Sequence, residues 1–306
     1  MTTRRRFIGG LAGASVALAA GRWTRADNEP SDWPVAVFEK VFEKLTYDEL
    51  ADAVARTGAD GIEATIRPGG HIRPDAAADE TPRMAEALRK RGKRILIAAT
   101  AIRSADSPHA ESLLKTFRSL GIRHYRLGYY RLDAAKPLKP QVAEARAQLR
   151  TLVAVNREYG LQGLYQNHAG ARYLGSLGWD AARLFDGIDP DAVGIALDLR
   201  HLLADTGTSW KTAAALLKPH VRSIYVKDAT WTGPRGDVLR DVPLDTGFVH
   251  REVFAFVRRG LRPMPLCLHV EHLGYRAFEK HEMPNVIEAH RDDLAVLRKW
   301  LRGQAG

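Results

Sequence analysis

The chain has 306 residues, of which 45% are hydrophobic and 27% are charged, and its formal net charge is +10. The apolar fraction is too high for a disordered protein, and the single cysteine excludes both a disulfide framework and a four-cysteine zinc module. No apolar run reaches the roughly 18 residues of a membrane-spanning helix, so we expect no stable membrane insertion. The length suits one large α/β domain or two small ones.

The N-terminus has the layout of an export signal. Three arginines at residues 4–6 precede an apolar, small-residue segment at 7–20, and an A-x-A-like cleavage site lies at 17–19. The order Thr-Arg-Arg-x-Phe-Ile is similar to a twin-arginine signal, which carries folded proteins across the bacterial inner membrane. A basic amphipathic helix is the alternative, but three glycines in the segment disfavour it. We therefore predict a signal and short linker over residues 1–26, and a periplasmic protein.

The basic charge gives little support for a nucleic-acid partner. Removing residues 1–19 removes three arginines and lowers the formal net charge from +10 to +7. The one dense basic run in the remainder, residues 89–94, falls at a predicted helix end, where cations suit the helix dipole. The sequence has neither zinc-finger spacing nor an aromatic RNA-binding pattern, so we expect no nucleic-acid partner. Cys267 lies in an apolar run, which indicates a buried, inert thiol.

From residue 35 onward, short apolar runs alternate with amphipathic helical patterns. Eight strands are predicted at Val35–Phe38, Gly61–Ile66, Arg94–Ala99, Arg123–Leu127, Gln162–Gln166, Ala192–Leu197, Val221–Val226 and Pro265–Val270. Helices are predicted between and after them, at Thr46–Thr57, Pro82–Arg91, Glu111–Leu120, Lys139–Tyr159, Trp179–Phe185, Trp210–Leu217, His250–Arg259 and Val286–Leu301. This count is that of a (β/α)8 TIM barrel, and the first strand lacks the Gly-rich turn of doubly wound folds. We predict a single barrel domain over 35–302.

Polar residues gather where the predicted strands end, which is where TIM barrels carry their chemistry. They are Glu63, Arg67 and His71 after strand two, Gln166 and His168 after strand five, Asp198 and His201 after strand six, Tyr225, Lys227 and Asp228 after strand seven, and His269, Glu271 and His272 after strand eight. Such a set could bind a sugar or a divalent cation such as Mn, Mg, Co or Zn. A neighbouring acid–base group could then move a proton beside a carbonyl.

Each of these residues also has a purely structural interpretation. His168 could be a satisfied core group, Lys227 and Asp228 could form a surface ion pair, and Asp198 could cap the next helix. Glu271 ends an apolar run, where an unpaired carboxylate is costly, so a partner is expected. The joint pattern favours a site over these separate explanations.

Five stretches, in order along the chain, resemble the xylose isomerase-like superfamily of sugar phosphate isomerases and epimerases. They are GIEATIRPGGHIRPD, YQNHAG, ALDLRH, IYVKD and LHVEH, at residues 61–75, 165–170, 196–201, 224–228 and 268–272. The resemblance spans about 35–300 and implies a TIM barrel that acts on a small sugar. In metal-dependent relatives, a Glu, an Asp, a His and a Glu on strands five to eight hold a divalent ion.

The resemblance assigns Asp198 and Glu271 to two of these metal positions. Gln166 stands at the strand-five position and could still ligate through its carbonyl, whereas Tyr225 stands where a His is expected. His168 or His269 could substitute, so a divalent metal stays an open expectation. His201, three residues after the Asp, matches a substrate-contacting His of the family.

These observations predict an enzyme that isomerises or epimerises a sugar or keto-sugar. Glu271 or Glu63 would be the acid–base group and Lys227 would stabilise an enediolate. Arg67, His71, His168, His201 and Tyr225 would contact the substrate. Export favours a free or oxidised sugar over a phosphorylated one. The alternatives are a catalytically inactive sugar-binding barrel and a lyase or hydrolase on oxidised sugars. A DNA-repair endonuclease is disfavoured, because the superfamily members of that type need a three-zinc cluster that this ligand set does not supply.

Overall fold

The structure, a computed structural model, describes residues 33–303, so the predicted signal and linker lie outside the described residues. Eight parallel strands close into a barrel, with helices between them, and the predicted TIM barrel is confirmed. The barrel strands are β1 (Val35–Phe38), β2 (Gly61–Thr65), β3 (Arg94–Ala99), β4 (His124–Arg126), β5 (Gln162–Gln166), β6 (Val193–Asp198), β7 (Val221–Val226) and, closing against β1, β10 (Leu266–Leu268).

The helices surround the barrel in the predicted order, and their local sequence sets their ends. They are α1 (Tyr47–Thr57), α2 (Ala77–Arg89), α3 (Ala110–Leu120), α4 (Leu138–Tyr159), α5 (Trp179–Phe185), α6 (Leu199–Thr206), α7 (Trp210–Leu217), α8 (Arg251–Arg258) and α9 (Met283–Leu301). In α1, the Thr46 hydroxyl and the Glu49 carboxylate form a capping box. Gly58 then ends the helix with φ +83°, a left-handed conformation that glycine adopts without strain.

Two elements were not predicted. Helix α6 begins directly after β6, because the Asp198 carboxylate accepts a hydrogen bond from the backbone N–H of His201 (3.0 Å) and caps the helix. Between β7 and α8, the strands β8 (Asp228–Thr232) and β9 (Val238–Val242) pair as an antiparallel hairpin. The predicted start of α2 at Pro82 was also wrong, since this proline lies inside the helix.

The core has two layers, as expected for a barrel that is packed rather than hollow. A small cluster fills the barrel interior, and it includes Phe38, Leu164, Tyr225 and Cys267. A larger cluster lies between the strands and the helices. Within residues 33–303, no helix is long and apolar enough to cross a membrane.

Candidate active site

The candidate site lies at the C-terminal ends of the barrel strands. Parallel strands place these ends on one rim, and the structure brings five chemistry-bearing side chains together there. They are Glu63 on β2, Arg126 on β4, Asp198 on β6, Lys227 directly after β7 and Glu271 after β10. Four of the five were predicted from the sequence, and Arg126 was missed.

Glu63 is fully buried and accepts four hydrogen bonds. Its Oε1 accepts from Arg126 Nε (2.6 Å) and from the Tyr225 hydroxyl (2.7 Å). Its Oε2 lies 3.1 Å from His269 Nε2 and accepts from Cys267 Sγ at 3.3 Å. Burial would raise the pKa of Glu63, but the Arg126 guanidinium and His269 outweigh it and hold the pKa below its usual range. Glu63 is therefore an anchored anion and a poor candidate for the mobile base.

Arg126 connects Glu63 to the next strand. Its Nη1 donates to the Tyr129 hydroxyl and to Gln166 Oε1, both at 2.8 Å. Its Nη2 is buried and has no hydrogen-bond partner within residues 33–303. The signal for this residue was present in the sequence, because Arg126 lies within a predicted strand, and a buried arginine is rarely found without a carboxylate.

Lys227 lies between the other two carboxylates. Its Nζ donates to Glu271 Oε2 at 3.0 Å and lies 3.5 Å from Asp198 Oδ2. Burial would lower the pKa of Lys227, but the two carboxylates raise it above its usual range, so the ammonium persists at neutral pH. The interpretation of Lys227 and Asp228 as a surface ion pair is wrong. Asp228 instead accepts hydrogen bonds from backbone N–H groups such as that of Val249.

Glu271 is the most accessible carboxylate of the three. Its side chain is 13% exposed, whereas those of Glu63 and Asp198 are fully buried. Burial would raise the pKa of Glu271, but Lys227 and His269 hold it below its usual range. Glu271 is thus ionised at neutral pH and lies at the edge of the cluster, where a substrate could reach it.

His269 joins Glu271 to Glu63. Its Nδ1 lies 3.2 Å from Glu271 Oε1 and its Nε2 lies 3.1 Å from Glu63 Oε2, while its ring stacks on Phe38 at 4.5 Å. Both ring nitrogens therefore face carboxylate oxygens, and one imidazole links the two carboxylates. The sequence placed His269 at this rim but could not identify its two partners.

The predicted histidines His168 and His201 lie together beside Asp198, with ring centroids 4.0 Å apart. Burial lowers the pKa of His168 to about 4 and that of His201 well below its usual value, so both are neutral at pH 7. Arg200 donates to His201 Nδ1 at 3.2 Å, which leaves the ring proton on Nε2. That nitrogen is buried, lies 3.6 Å from Asp198 Oδ2 and has no hydrogen-bond partner in the described part of the chain.

Of the other predicted substrate contacts, Arg67 lies near the site and His71 does not. The Arg67 guanidinium lies over the Phe38 ring, 5.8 Å from its centroid, on the same phenylalanine that His269 stacks against. His71 instead contacts Glu39 through Nδ1, and its ring lies 5.2 Å from that of Tyr47. It belongs to a separate group of residues at the ends of β1 and β2.

The metal positions implied by the family do not match the donors present here. Gln166 Oε1, the atom that could ligate, accepts hydrogen bonds from Arg126 (2.8 Å) and Tyr129 (2.6 Å), and Gln166 Nε2 donates to Asp198 Oδ2 (2.8 Å). The Tyr225 hydroxyl donates to Glu63. Asp198 and Glu271 are the only two of the four positions whose oxygens suit a hard divalent cation, and Lys227 already bridges them.

A different trio could also hold a metal ion. Among the described residues, the ligand atoms of Glu63, Cys267 and His269 lie within 4.8 Å of one another. However, burial raises the pKa of the Cys267 thiol, which donates to Glu63, and Arg126 occupies the other Glu63 oxygen. A metal ion at this trio would have to displace the Cys267 thiol proton and compete with the Arg126 guanidinium for Glu63.

Comparisons with known proteins agree with this architecture. A family model described as xylose isomerase-like TIM barrel matches residues 51–300. No curated protein matches the chain in sequence. A solved xylose isomerase-like TIM barrel protein from Mycobacterium smegmatis, in complex with magnesium, is 17% identical with a TM-score of 0.59, and the match covers 86% of this chain and 98% of that one.

Two sugar epimerases are similar in fold as well. The 3-keto-D-glucoside 4-epimerase of E. coli is 15% identical with a TM-score of 0.64, and the match covers 87% of this chain and 99% of that one. D-psicose 3-epimerase of Clostridium cellulolyticum, solved with D-tagatose, is 13% identical with a TM-score of 0.62, and the match covers 89% of this chain and 100% of that one. At these identities the likeness concerns the fold.

Proposed function

The chain belongs to the xylose isomerase-like TIM barrel family, and we propose that it is an enzyme that transfers a proton beside the carbonyl of a sugar or keto-sugar, as an isomerase or epimerase. The observation that carries this proposal is the Lys227 ammonium held between Asp198 and Glu271, at 3.5 and 3.0 Å. It places a fixed positive charge next to the most accessible carboxylate of the barrel mouth.

The proposed reaction uses Glu271 as the base. The C–H bond beside the carbonyl breaks, the proton passes to a Glu271 oxygen, and the electron pair forms the C=C bond of an enediolate. The carbonyl π electrons move to the carbonyl oxygen, where the Lys227 ammonium stabilises the negative charge. A solvent proton delivered to the opposite face gives the epimer, while the proton on Glu271 passes to solvent. Return of the Glu271 proton to the neighbouring carbon, as the hydroxyl proton moves to the first oxygen, gives the isomer.

The remaining residues of the mouth would bind and orient the sugar. His201 holds a neutral Nε2–H 3.6 Å from Asp198 Oδ2, without a hydrogen bond in the described chain, and would donate to a substrate oxygen that comes within reach. His168 is also neutral at pH 7, and its Nδ1 donates to the Ala169 carbonyl, so its Nε2 can accept from a hydroxyl. Arg67, half-buried above Phe38, would contact the outer part of the ring or an anionic substituent.

The proposed substrate is a free or oxidised sugar. This choice rests on the export signal predicted over residues 1–26, because phosphorylated sugars are mainly cytoplasmic. It is also consistent with the structural neighbours, one solved with D-tagatose and one named as a 3-keto-D-glucoside 4-epimerase.

Solvent exchange tests the proposal without knowledge of the product. The chain is incubated in D2O with D-fructose, D-tagatose and 3-keto-glucosides, and deuterium incorporation beside the carbonyl is followed by NMR. We expect incorporation with at least one sugar, and a loss of about 10²- to 10⁴-fold in Glu271→Gln. Glu288→Gln, the same change at an exposed position of α9, should behave as wild type. Saturable sugar binding without exchange would instead indicate a sugar-binding barrel, and full exchange by Glu271→Gln would remove Glu271 as the base.

A further inference from the structure

We infer that Arg126 and Lys227 are resident cations that take the place of a divalent metal in this barrel, so that the proton transfer runs without one. The inference rests on the proposed function for its chemistry, but its central claim, that the mouth does not bind a divalent ion, can be tested separately. Four features of the mouth support it.

The first is the orientation of Gln166. A glutamine can ligate a metal only through its carbonyl oxygen, and here that oxygen accepts from both Arg126 and Tyr129. The amide nitrogen is the end that faces Asp198, at 2.8 Å. Gln166 therefore presents an N–H donor toward the carboxylate where a metal-binding relative presents an anionic oxygen.

The second is the state of Tyr225. Its ring is wholly buried in the barrel interior, and its hydroxyl donates to Glu63 at 2.7 Å. Burial and the Glu63 charge raise the pKa of Tyr225 well above its usual value, so the side chain is a neutral phenol. A neutral phenol already bonded to a carboxylate is a poor substitute for an imidazole ligand.

The third is the balance of charge. The three carboxylates Glu63, Asp198 and Glu271 face the permanent cations Arg126 and Lys227, at distances of 2.6 to 3.5 Å. His269 lies between two of these carboxylates, 3.2 Å from Glu271 and 3.1 Å from Glu63. The carboxylates that would attract a divalent ion are therefore already paired with cations of the chain itself.

The fourth is the donor capacity left on Lys227. An ammonium group has three N–H donors. One is directed to Glu271 and one lies toward Asp198, so a third can reach a substrate oxygen. Lys227 can thus supply the positive charge that a metal would supply beside the developing enediolate, and it needs no exogenous ion to do so.

Metal binding by the wild-type chain is the direct test. The protein is purified without chelator or added metal, analysed for Mn, Mg, Co and Zn, and then titrated with each ion by calorimetry and thermal shift. We expect a content far below one equivalent and no rise in Tm with any ion. About one tightly bound equivalent would overturn the inference. Loss of that ion in Asp198→Asn would assign it to the family position, and loss in Cys267→Ser would assign it to the Glu63–Cys267–His269 trio.

A gain-of-binding variant tests the same inference from the opposite direction. The combined change Gln166→Glu, Tyr225→His and Arg126→Met restores the two missing ligands and removes the guanidinium. We expect this variant to bind Mn²⁺ at least tenfold more tightly than wild type, with a Tm that rises on metal addition. If the variant does not fold, the wild-type titrations and the effect of EDTA on wild-type deuterium exchange still decide the question. Exchange abolished by EDTA and restored by one ion would contradict the inference.

The two proposals can fail separately. A protein that binds no metal and exchanges no sugar proton would support the inference about Arg126 and Lys227 but contradict the proposed function. A protein that exchanges sugar protons only when a metal is bound would support the proposed function but contradict the inference that Arg126 and Lys227 replace the metal.

Discussion

Two groups of carboxylates and imidazoles lie at the same rim of this barrel, and they differ in what faces the carboxylates. The mouth cluster consists of Glu63, Arg126, Asp198, Lys227, His269 and Glu271. The β1–β2 cluster consists of Glu39, Glu43, Thr65 and His71. In the mouth cluster every carboxylate has a lysine or arginine partner. In the β1–β2 cluster, the hydrogen-bond partners of the carboxylates are the Thr65 hydroxyl, the Thr65 backbone N–H and His71.

The difference changes how the two clusters hold their protons. In the mouth cluster, fixed cations keep the pKa of Glu63 and Glu271 low in spite of burial. In the β1–β2 cluster, the Thr65 hydroxyl lies 2.7 Å from Glu39 and 2.8 Å from Glu43, but it has one proton to donate. Both contacts are hydrogen bonds only when one of the two carboxyl groups carries a proton, and burial raises the pKa of Glu43.

The two clusters therefore differ in role: the mouth cluster is the candidate active site, and the β1–β2 cluster stabilises the fold. The mouth cluster holds carboxylates beside an ammonium and a guanidinium at the strand ends, the fold's usual catalytic position, and Glu271 is its most exposed carboxylate. The β1–β2 cluster uses its buried groups to tie the chain after β2 to the chain after β1, with the His71 backbone N–H also donating to Thr65 Oγ1 at 3.0 Å. We therefore expect mutations in the two clusters to differ in size and in pH dependence.

The largest expected effect is that of Glu63→Gln on stability. The change leaves the buried Arg126 guanidinium without an anionic partner, which typically costs about 3–5 kcal/mol. Urea unfolding at pH 7 measures it, with Glu288→Gln as the exposed control. The double variant Glu63→Gln/Arg126→Met should lose less than the sum of the two single variants, because it leaves no stranded charge. A cost below about 1 kcal/mol for Glu63→Gln would mean that the ion pair does not dominate the mouth cluster.

Glu39→Gln should cost less, although Glu39 is also fully buried. The glutamine oxygen can still accept from the Thr65 backbone N–H, and His71 can become neutral, so no fixed charge is stranded. We expect about 1–3 kcal/mol, the range for a weakened buried hydrogen-bond network. The same urea experiment checks it, and a cost equal to or larger than that of Glu63→Gln would reverse the ranking of the two clusters.

The fold was largely readable from the sequence because its signals are local. All eight barrel strands were predicted to within two residues, since each is an apolar run bounded by glycine or polar residues. Helix α6 was missed because it follows β6 without an intervening loop, and its signal was a single capping residue, Asp198. The β8–β9 hairpin was not predicted, because the stretch between β7 and α8 is polar and rich in turn residues and lacks an apolar run that would mark a strand.

The site was readable only in part because its partners are distant in sequence. The strand-end rule located Glu63, Asp198, Lys227 and Glu271. It could not show that Arg126, 63 residues after Glu63, would lie 2.6 Å from it, because that contact depends on barrel closure. It also could not separate His71, whose partner Glu39 is a neighbour through the β1–β2 pairing, from the histidines of the mouth.

The smallest predicted effect is the pH dependence that His71 gives the β1–β2 cluster. Burial would lower the pKa of His71, but its hydrogen bond to Glu39 and the charges of Glu39 and Glu43 raise it above the usual value. A histidine whose pKa is higher in the folded state contributes stability that is complete below its unfolded pKa, about 6.5, and is lost as the pH rises through the folded pKa. The mouth carboxylates have lowered pKa values, so their contribution is instead lost as the pH falls below about 4.5.

The variant His71→Gln isolates the first of these contributions. The free energy of unfolding of wild type and of His71→Gln is measured by urea titration from pH 5 to pH 9. We expect the advantage of wild type to shrink by about 1 kcal/mol from the acidic to the alkaline end, the size of a typical net hydrogen bond. A constant difference between the two proteins would mean that His71 does not change its protonation in the folded state. A difference that grows with pH would mean that folding lowers the pKa of His71 instead of raising it. That result would contradict the contrast between the two clusters.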